Sequence, residues 1–213
     1  MMFLLTKLLP LLLLSSLATL HLSTAGDPDI LTDFVLPTPP PENSNTTLTG
    51  DYFTFTGIRP LFHQRPTSFK IAKASLAEFP SLEGQSVSYA VLQFPAGAAN
   101  PPHIHPRASE LLLVARGVLE VGLVDSGNRL YTQTLQSGDM FVFPKGLVHY
   151  QSNVGRNTAV AFSAFGSASA GTVSLPPALF ASGIDDDVLA KGFKTDEDTV
   201  RGLKAGLAPP MKY

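Results

Sequence analysis

The chain has 213 residues, with 15 Lys and Arg against 17 Asp and Glu, five His and no Cys. Zero cysteines exclude disulfides, thiolate zinc fingers, iron–sulfur clusters and thiol catalysis, so any metal site has to be built from His, Asp or Glu. The mild acidic balance excludes the basic stripe expected of a nucleic-acid binder, and no polybasic segment marks a membrane surface.

Residues 1–25 read as a secretory signal peptide. Lys7 gives a positive start, Leu8 to Leu17 is an apolar run around Pro10, and Ser23 and Ala25 are the small residues of a cleavage site. The alternative, an uncleaved anchor, would need roughly 20 apolar residues, and this run is shorter. Cleavage leaves a chain that begins at Gly26, has lost the charge of Lys7, carries no membrane span and is secreted. Asn45-Thr46-Thr47 is then a glycan acceptor in a polar segment. Secreted domains often rely on disulfides. Without cysteine, stability has to come from core, metal or oligomer.

Residues 26–50 form an extended N-terminal arm, because Pro28, Pro37, Pro39, Pro40 and Pro41 block helix and sheet. Residues 51–175 are expected to form one β-barrel, a length that suits a single domain. Asp51 to Thr56 and Ser68 to Ala74 have strand-like content. Glu83 to Pro95 reads as a strand apolar on both faces, hence buried on both. Short strands follow over Leu111 to Arg116, Val118 to Val124, Leu130 to Leu135, Met140 to Phe143, Leu147 to Asn153 and Thr158 to Phe165. Turn signals at 125–128, 137–139 and 144–146 separate them. That spacing indicates an all-β sandwich or barrel.

Residues 176–213 change to a helical segment. Pro176-Pro177 starts a short helix over Ala178 to Ser182. Asp185-Asp186-Asp187 precedes a helix over Val188 to Phe193, and Thr195 with Asp198 resembles a capping box for a helix over Thr199 to Leu207. Val200, Leu203, Lys204 and Leu207 give the last helix one mostly apolar stripe.

Of the four histidines beyond the signal peptide, three fall in two ordered patterns. The first runs Gly97-x5-His103-x-His105-x4-Glu110-x6-Gly117. The second runs Gly138-x5-Pro144-x-Gly146-x2-His149-x3-Asn153. On a strand, residues i and i+2 point to the same side, so His103 and His105 can present two imidazoles to one point. Glu110 adds an anionic oxygen where the chain folds back, and His149 adds a third imidazole from a later hairpin. An isolated His-x-His is weak evidence for a metal; two templates matched in order are strong. Three imidazoles and one carboxylate suit a divalent first-row metal with two open positions, and manganese or iron fits this set. His63 lies outside both patterns.

The stretch Asn100-Pro101-Pro102-His103-Ile104-His105-Pro106-Arg107-Ala108-Ser109-Glu110 resembles the first conserved box of the plant germins, and Gly138 to His149 resembles the second. Gly26-Asp27-Pro28-Asp29 and Asp186 to Lys191 are also similar to that family, and the likeness extends over residues 26–207. The resemblance to germin-like proteins of the cupin superfamily implies a jelly-roll β-barrel with a C-terminal helical segment packed on a neighbouring subunit. It also implies manganese, with iron as the alternative, a hexamer built as a trimer of dimers, and a place in the apoplast. Its known activities are oxalate oxidase and superoxide dismutase; other members are binding or receptor-like proteins.

Two departures stand out. The family's N-terminal cysteine pair is absent, with Val35 where one Cys is expected. Of the two asparagines that hold oxalate in the family, Asn100 is kept, but Ala90 stands at the other position. Losing a hydrogen bond to a charged group costs about 1.5–3 kcal/mol, roughly 10–150-fold in affinity. The expected function is a superoxide dismutase with a small oxygen species or small anion at the metal and weak or absent oxalate oxidation. The second reading is a non-enzymatic wall or receptor-like protein with a structural metal.

Overall fold

The computed structural model describes residues 26–36, 49–63 and 65–207. The expected signal peptide and the sequon at Asn45 lie outside the described residues.

A 3-10 turn at Gly50–Phe53 and the one-turn helix α1 (Arg59–His63) lead into ten strands. These are β1 (Lys70–Ala74), β2 (Ser88–Phe94), β3 (Ala99–Ile104), β4 (Glu110–Arg116), β5 (Val118–Val124), β6 (Leu130–Gln136), β7 (Met140–Phe143), β8 (Val148–Ser152), β9 (Ala159–Phe165) and β10 (Val173–Ser174). Three helices close the chain: α2 (Leu175–Phe180), α3 (Asp186–Phe193) and α4 (Glu197–Leu207). The strands form two five-stranded antiparallel sheets, ordered β1-β2-β9-β4-β7 and β10-β3-β8-β5-β6. Neighbours far apart in sequence, such as β2 with β9 and β3 with β8, are the crossovers of a jelly roll. Inward-facing Leu92, Phe94, Leu112, Val114, Leu119, Val121 and Phe143 from both sheets fill the space between them. The architecture is therefore all-β, as the strand spacing indicates, and a jelly-roll barrel, as the resemblance implies.

β2 shows why one strand looked apolar on both faces. From Ala90 to Phe94 every residue is buried, and only Tyr89 is exposed. The ladder starts at Ser88, later than the apolar pattern suggested. Gly84 and Ser86 take positive φ, which breaks extended backbone, and a Cβ on Gly84 would fall 2.2 Å from Ile30. The strand-like stretch after Asp51 is also not a strand. Thr49 accepts a hydrogen bond from the Asp51 amide and the chain coils into the 3-10 turn instead.

The described part of the N-terminal arm is held by polar contacts. Tyr52 Oη donates to Val35 O at 2.6 Å, and Gln85 Nε2 donates to Asp33 O at 3.3 Å. The Asp27 carboxylate accepts from Ser167 Oγ and from the Ala168 amide, both at 2.6 Å.

At the other end α3 and α4 pack through Leu189, Ala190 and Val200, with Phe180 and Ile184 against them. The cap of α4 is Asp196, whose Oδ1 accepts from the Thr199 amide at 2.8 Å, and not the expected Thr195–Asp198 pair. Lys204 reaches the Asp186 carboxylate at 2.6 Å and so ties α4 back to α3.

Candidate metal centre

Local chain chemistry positions each of the four expected ligands. β3 contains Pro101 and Pro102, which have no N–H to give β8, so the register shifts between Asn100 and His103. Pairing resumes with His103 opposite His149, which brings two imidazoles together across the ladder. The strand ends at Ile104, so His105 is not on the same extended run as His103. It is held instead by its carbonyl, which accepts from the Gly146 amide at 3.0 Å, and by its ring. Glu110 opens β4 in the opposite sheet. The centre thus bridges the two sheets.

All four side chains are buried, His105 being the most accessible at 6%. Their ligand atoms lie within 4.8 Å of one another, close enough to share one ion. Backbone carbonyls fix the three rings. His103 Nδ1 is 2.8 Å from Pro101 O, His149 Nδ1 is 2.8 Å from Leu147 O, and His105 Nδ1 bonds Gly171 O. A carbonyl can only accept, so each Nδ1 carries a proton, and each ring when neutral presents its lone pair at Nε2. Glu110 Oε1 accepts from Ser163 Oγ at 2.5 Å. That leaves Oε2, which lies 3.0 Å from His105 Nε2 and 3.2 Å from His149 Nε2.

Such a set fits a divalent cation. Without one, the two rings facing Oε2 would each need a second proton and a buried positive charge, which is costly away from water. Burial, reinforced by the neighbouring His149, lowers the pKa of His103 to about 4, so its ring is neutral and its lone pair free at neutral pH. Burial pushes Glu110 up; the Ser163 Oγ–H donates to its carboxylate and, with a second proton on each ring and no cation present, so do His105 and His149, which together lower its pKa to about 2. Phe143 stacks on the His149 ring at 4.4 Å and Phe165 sits edge-on to His105 at 4.8 Å, which locks both rings in apolar surroundings.

The centre opens into a cavity of about 240 Å³. Its walls include Phe69, Ile71, Ala90 and Leu92, and Asn100 stands beside the histidines. Asn100 Nδ2 lies 3.4 Å from His103 Nε2 and donates to Gln151 Oε1 at 2.8 Å. Ala90 is 1% exposed and lies in register with Ser163, presenting a methyl group where an amide would reach the cavity. His63 is exposed at the end of α1 and takes no part in the cluster.

Three contributors escaped the sequence patterns. Gln151 sits two residues after His149 on β8, a period-two signal that could have found it; it is fully buried, and its Nε2 has no hydrogen-bond partner among the described residues. Ser163 and the Gly171 carbonyl come from β9 and the loop after it, distant in sequence from the Glu110 and His105 side chains they hold. The template residue Asn153 has a structural task. Its Nδ2 donates to Phe94, Pro95 and Asn157 carbonyls and its Oδ1 accepts from the Gly155 amide, which ties the loops at one end of the barrel.

The family model described as Cupin matches residues 60–201. Germin-like protein 9-3 of Oryza sativa subsp. japonica is 57% identical over 202 residues, covering 92% of each chain. Germin-like protein subfamily 1 member 6 of Arabidopsis thaliana is 42% identical over 172 residues, covering 77% of this chain and 75% of its own. Among solved structures, an oxalate oxidase in complex with the substrate analogue glycolate superposes with a TM-score of 0.76 at 31% identity, covering 87% of this chain and 100% of that one. Its barrel topology, its buried three-histidine, one-glutamate group and these relatives place the chain among the germin-like proteins of the cupin family.

Proposed function

We propose that this germin-like chain is a secreted manganese protein that dismutates superoxide in the apoplast, with iron as the alternative metal. The observation that carries the reading is the tautomer lock: three Nδ1 atoms bound to carbonyls leave three Nε2 lone pairs and one carboxylate oxygen facing a common point. Three nitrogens and one oxygen leave positions free for a small anion and suit manganese better than zinc or calcium. Manganese supplies one-electron cycling between two oxidation states when bound.

The chain's own residues do the rest. His103, His105, His149 and Glu110 would hold the ion. Ser163 keeps Glu110 Oε1 occupied so that Oε2 faces the rings. Asn100, braced on Gln151, presents an amide N–H beside His103 and can orient a small anion or a water that delivers a proton. Phe69, Ile71, Leu92 and Phe165 line the cavity and limit bulk water at the centre.

The likeness to oxalate oxidase raises the question of oxalate. A dicarboxylate needs an N–H for each end, and Ala90 offers none. Superoxide has a single small body and needs no second contact. The manganese-loaded protein should therefore dismutate superoxide well above the free-metal background and release little hydrogen peroxide from oxalate. Activity no greater than free manganese would overturn the first statement, and robust peroxide release from oxalate the second.

Support for an oligomer comes from the outer face of the first sheet. Tyr89, Leu111 and Val142 fall in one register row, with Met140 beside them, and all four are at least 40% exposed. A contiguous apolar row of this kind favours contact with a second copy. The family's hexamer, a trimer of dimers, is the assembly expected. Light scattering should show a mass well above one chain, reduced by Val142→Asp. Secretion rests on the N-terminal sequence, and recovery of a chain starting at Gly26 from the medium would test it.

A further inference from the structure

The N-terminal arm and the metal centre are joined by one short loop. Residues 166–172, between β9 and β10, carry the Gly171 carbonyl that holds His105 Nδ1, and Thr172 Oγ1 stands 3.5 Å from the same nitrogen. Ser169, Ala170, Gly171 and Thr172 also line the cavity. The loop has no regular structure of its own, so its position depends on what ties it down.

Three sets of contacts do so. From β2 and the turn after β1, Ser88 Oγ donates to Ser167 O at 2.7 Å and the Leu76 amide donates to Ala168 O at 2.8 Å. From the ligand segment, the Arg107 amide donates to Ala170 O and its guanidinium to Ser169 O and Ser169 Oγ. Gly171 has φ +72°, and a Cβ there would fall 2.8 Å from the Arg107 guanidinium, so the close clamp requires glycine. From the arm comes Asp27, whose two carboxylate oxygens accept from Ser167 Oγ and from the Ala168 amide at 2.6 Å each. Ser167 Oγ in turn accepts from the Ser169 amide at 3.0 Å. Ser167 and Ala168 are each 2% exposed. A short ionised acceptor facing two donors in a buried loop is a strong, directional tie.

We propose that Asp27 is a positioning residue for the metal centre: by fixing Ser167 and Ala168 it holds the Gly171 carbonyl against His105 Nδ1, and so sets the tautomer and aim of one ligand. The arm of this chain has no disulfide, and this carboxylate links it directly to the barrel's chemistry. A chain trimmed to start at Pro28 would keep every metal ligand and lose the strap. The inference rests on the metal reading proposed above.

The test uses the full-length chain, secreted and purified, with Mn(II) as the probe. Outer partners of metal-bound histidines are worth roughly 10–100-fold in affinity. Asp27 acts one step further out, so Asp27→Ala should weaken Mn(II) binding by about 3- to 10-fold and change the Mn(II) paramagnetic resonance line shape. In the metal-free protein it should speed amide exchange at Ala168 and Ser169 and broaden the His105 Nδ1 proton signal. Asp27→Asn keeps one acceptor and should fall in between. Tyr52→Phe loosens the same arm at Val35 and should leave all of these readouts unchanged. Wild-type Mn(II) affinity and line shape in Asp27→Ala would overturn the proposal, as would an equal loss in Tyr52→Phe. Failure of the wild-type chain to bind Mn(II) would sink the metal reading itself, while the metal-free exchange and proton signals still decide whether Asp27 holds the loop.

Discussion

Two regions of this chain are built with unequal means. In the barrel, buried side chains from both sheets, Phe94, Leu112, Leu119 and Phe143 among them, form one cluster, and Phe143 stacks on the His149 ring. In the C-terminal helices the buried set is Leu189, Ala190 and Val200, while Val188, Phe193, Leu203 and Leu207 on the same two helices stay exposed. Surface charge pairs supplement the helices. Exposed Arg201 meets Glu197 and Asp198, and half-buried Lys204 meets Asp186, but surface pairs of this kind add little to stability. The barrel core can therefore hold a chemical site in place without the helical segment. The helical segment leaves an apolar stripe exposed.

The comparison can be broken most directly in the barrel core. Phe94→Ala removes a fully buried ring and should cost about 3–5 kcal/mol in urea unfolding of the metal-free protein. A cost near 1 kcal/mol would mean that the barrel is no better packed than the helices. Next comes Ser163→Ala, which frees Glu110 Oε1 while keeping all four cluster residues and should lower Mn(II) affinity by roughly 10–100-fold.

Acid should separate the two regions. His103 is neutral in the fold with a pKa of about 4, against an ordinary value of 6.5. The unfolded chain takes up that proton first, so the metal-free barrel loses stability as pH falls from 6.5 toward 4. In the helices, a hydrogen bond from the Thr199 amide lowers the pKa of Asp196, and the Lys204 ammonium lowers that of Asp186. Their contribution is present above the ordinary 3.8 and is lost only below it. Hydrogen exchange across this range should show barrel amides loosening before those of α4; the opposite order would contradict the assignment. The smallest effect belongs to Val200→Ala. It should cost about 1–2 kcal/mol, confined to the helical segment and leaving Mn(II) affinity unchanged.

These contrasts also explain what the sequence could show. Period-two patterns and turn residues placed β5 and β7 with the ends the fold has, and the ordered His and Glu templates named all four members of the buried cluster. Strand bounds failed where backbone conformation decided, as at Gly84 and Ser86, or where a local side-chain bond won, as at Thr49. The strand logic for His103 and His105 was incomplete, because Pro101 and Pro102 interrupt the ladder and the strand stops at Ile104. Ser163, the Gly171 carbonyl and Asp27 were invisible because each acts on a residue 53 to 141 positions away. No local pattern encodes a contact across that distance.

The central claim is that His103, His105, Glu110 and His149 hold one redox-active metal. Elemental analysis of the secreted protein, combined with paramagnetic resonance, tests it in one measurement. The expected result is one manganese per chain, with a Mn(II) signal that is lost in His149→Ala while the barrel stays folded. A secreted wild-type protein without bound metal, or a His149→Ala variant that keeps its manganese, would contradict the account.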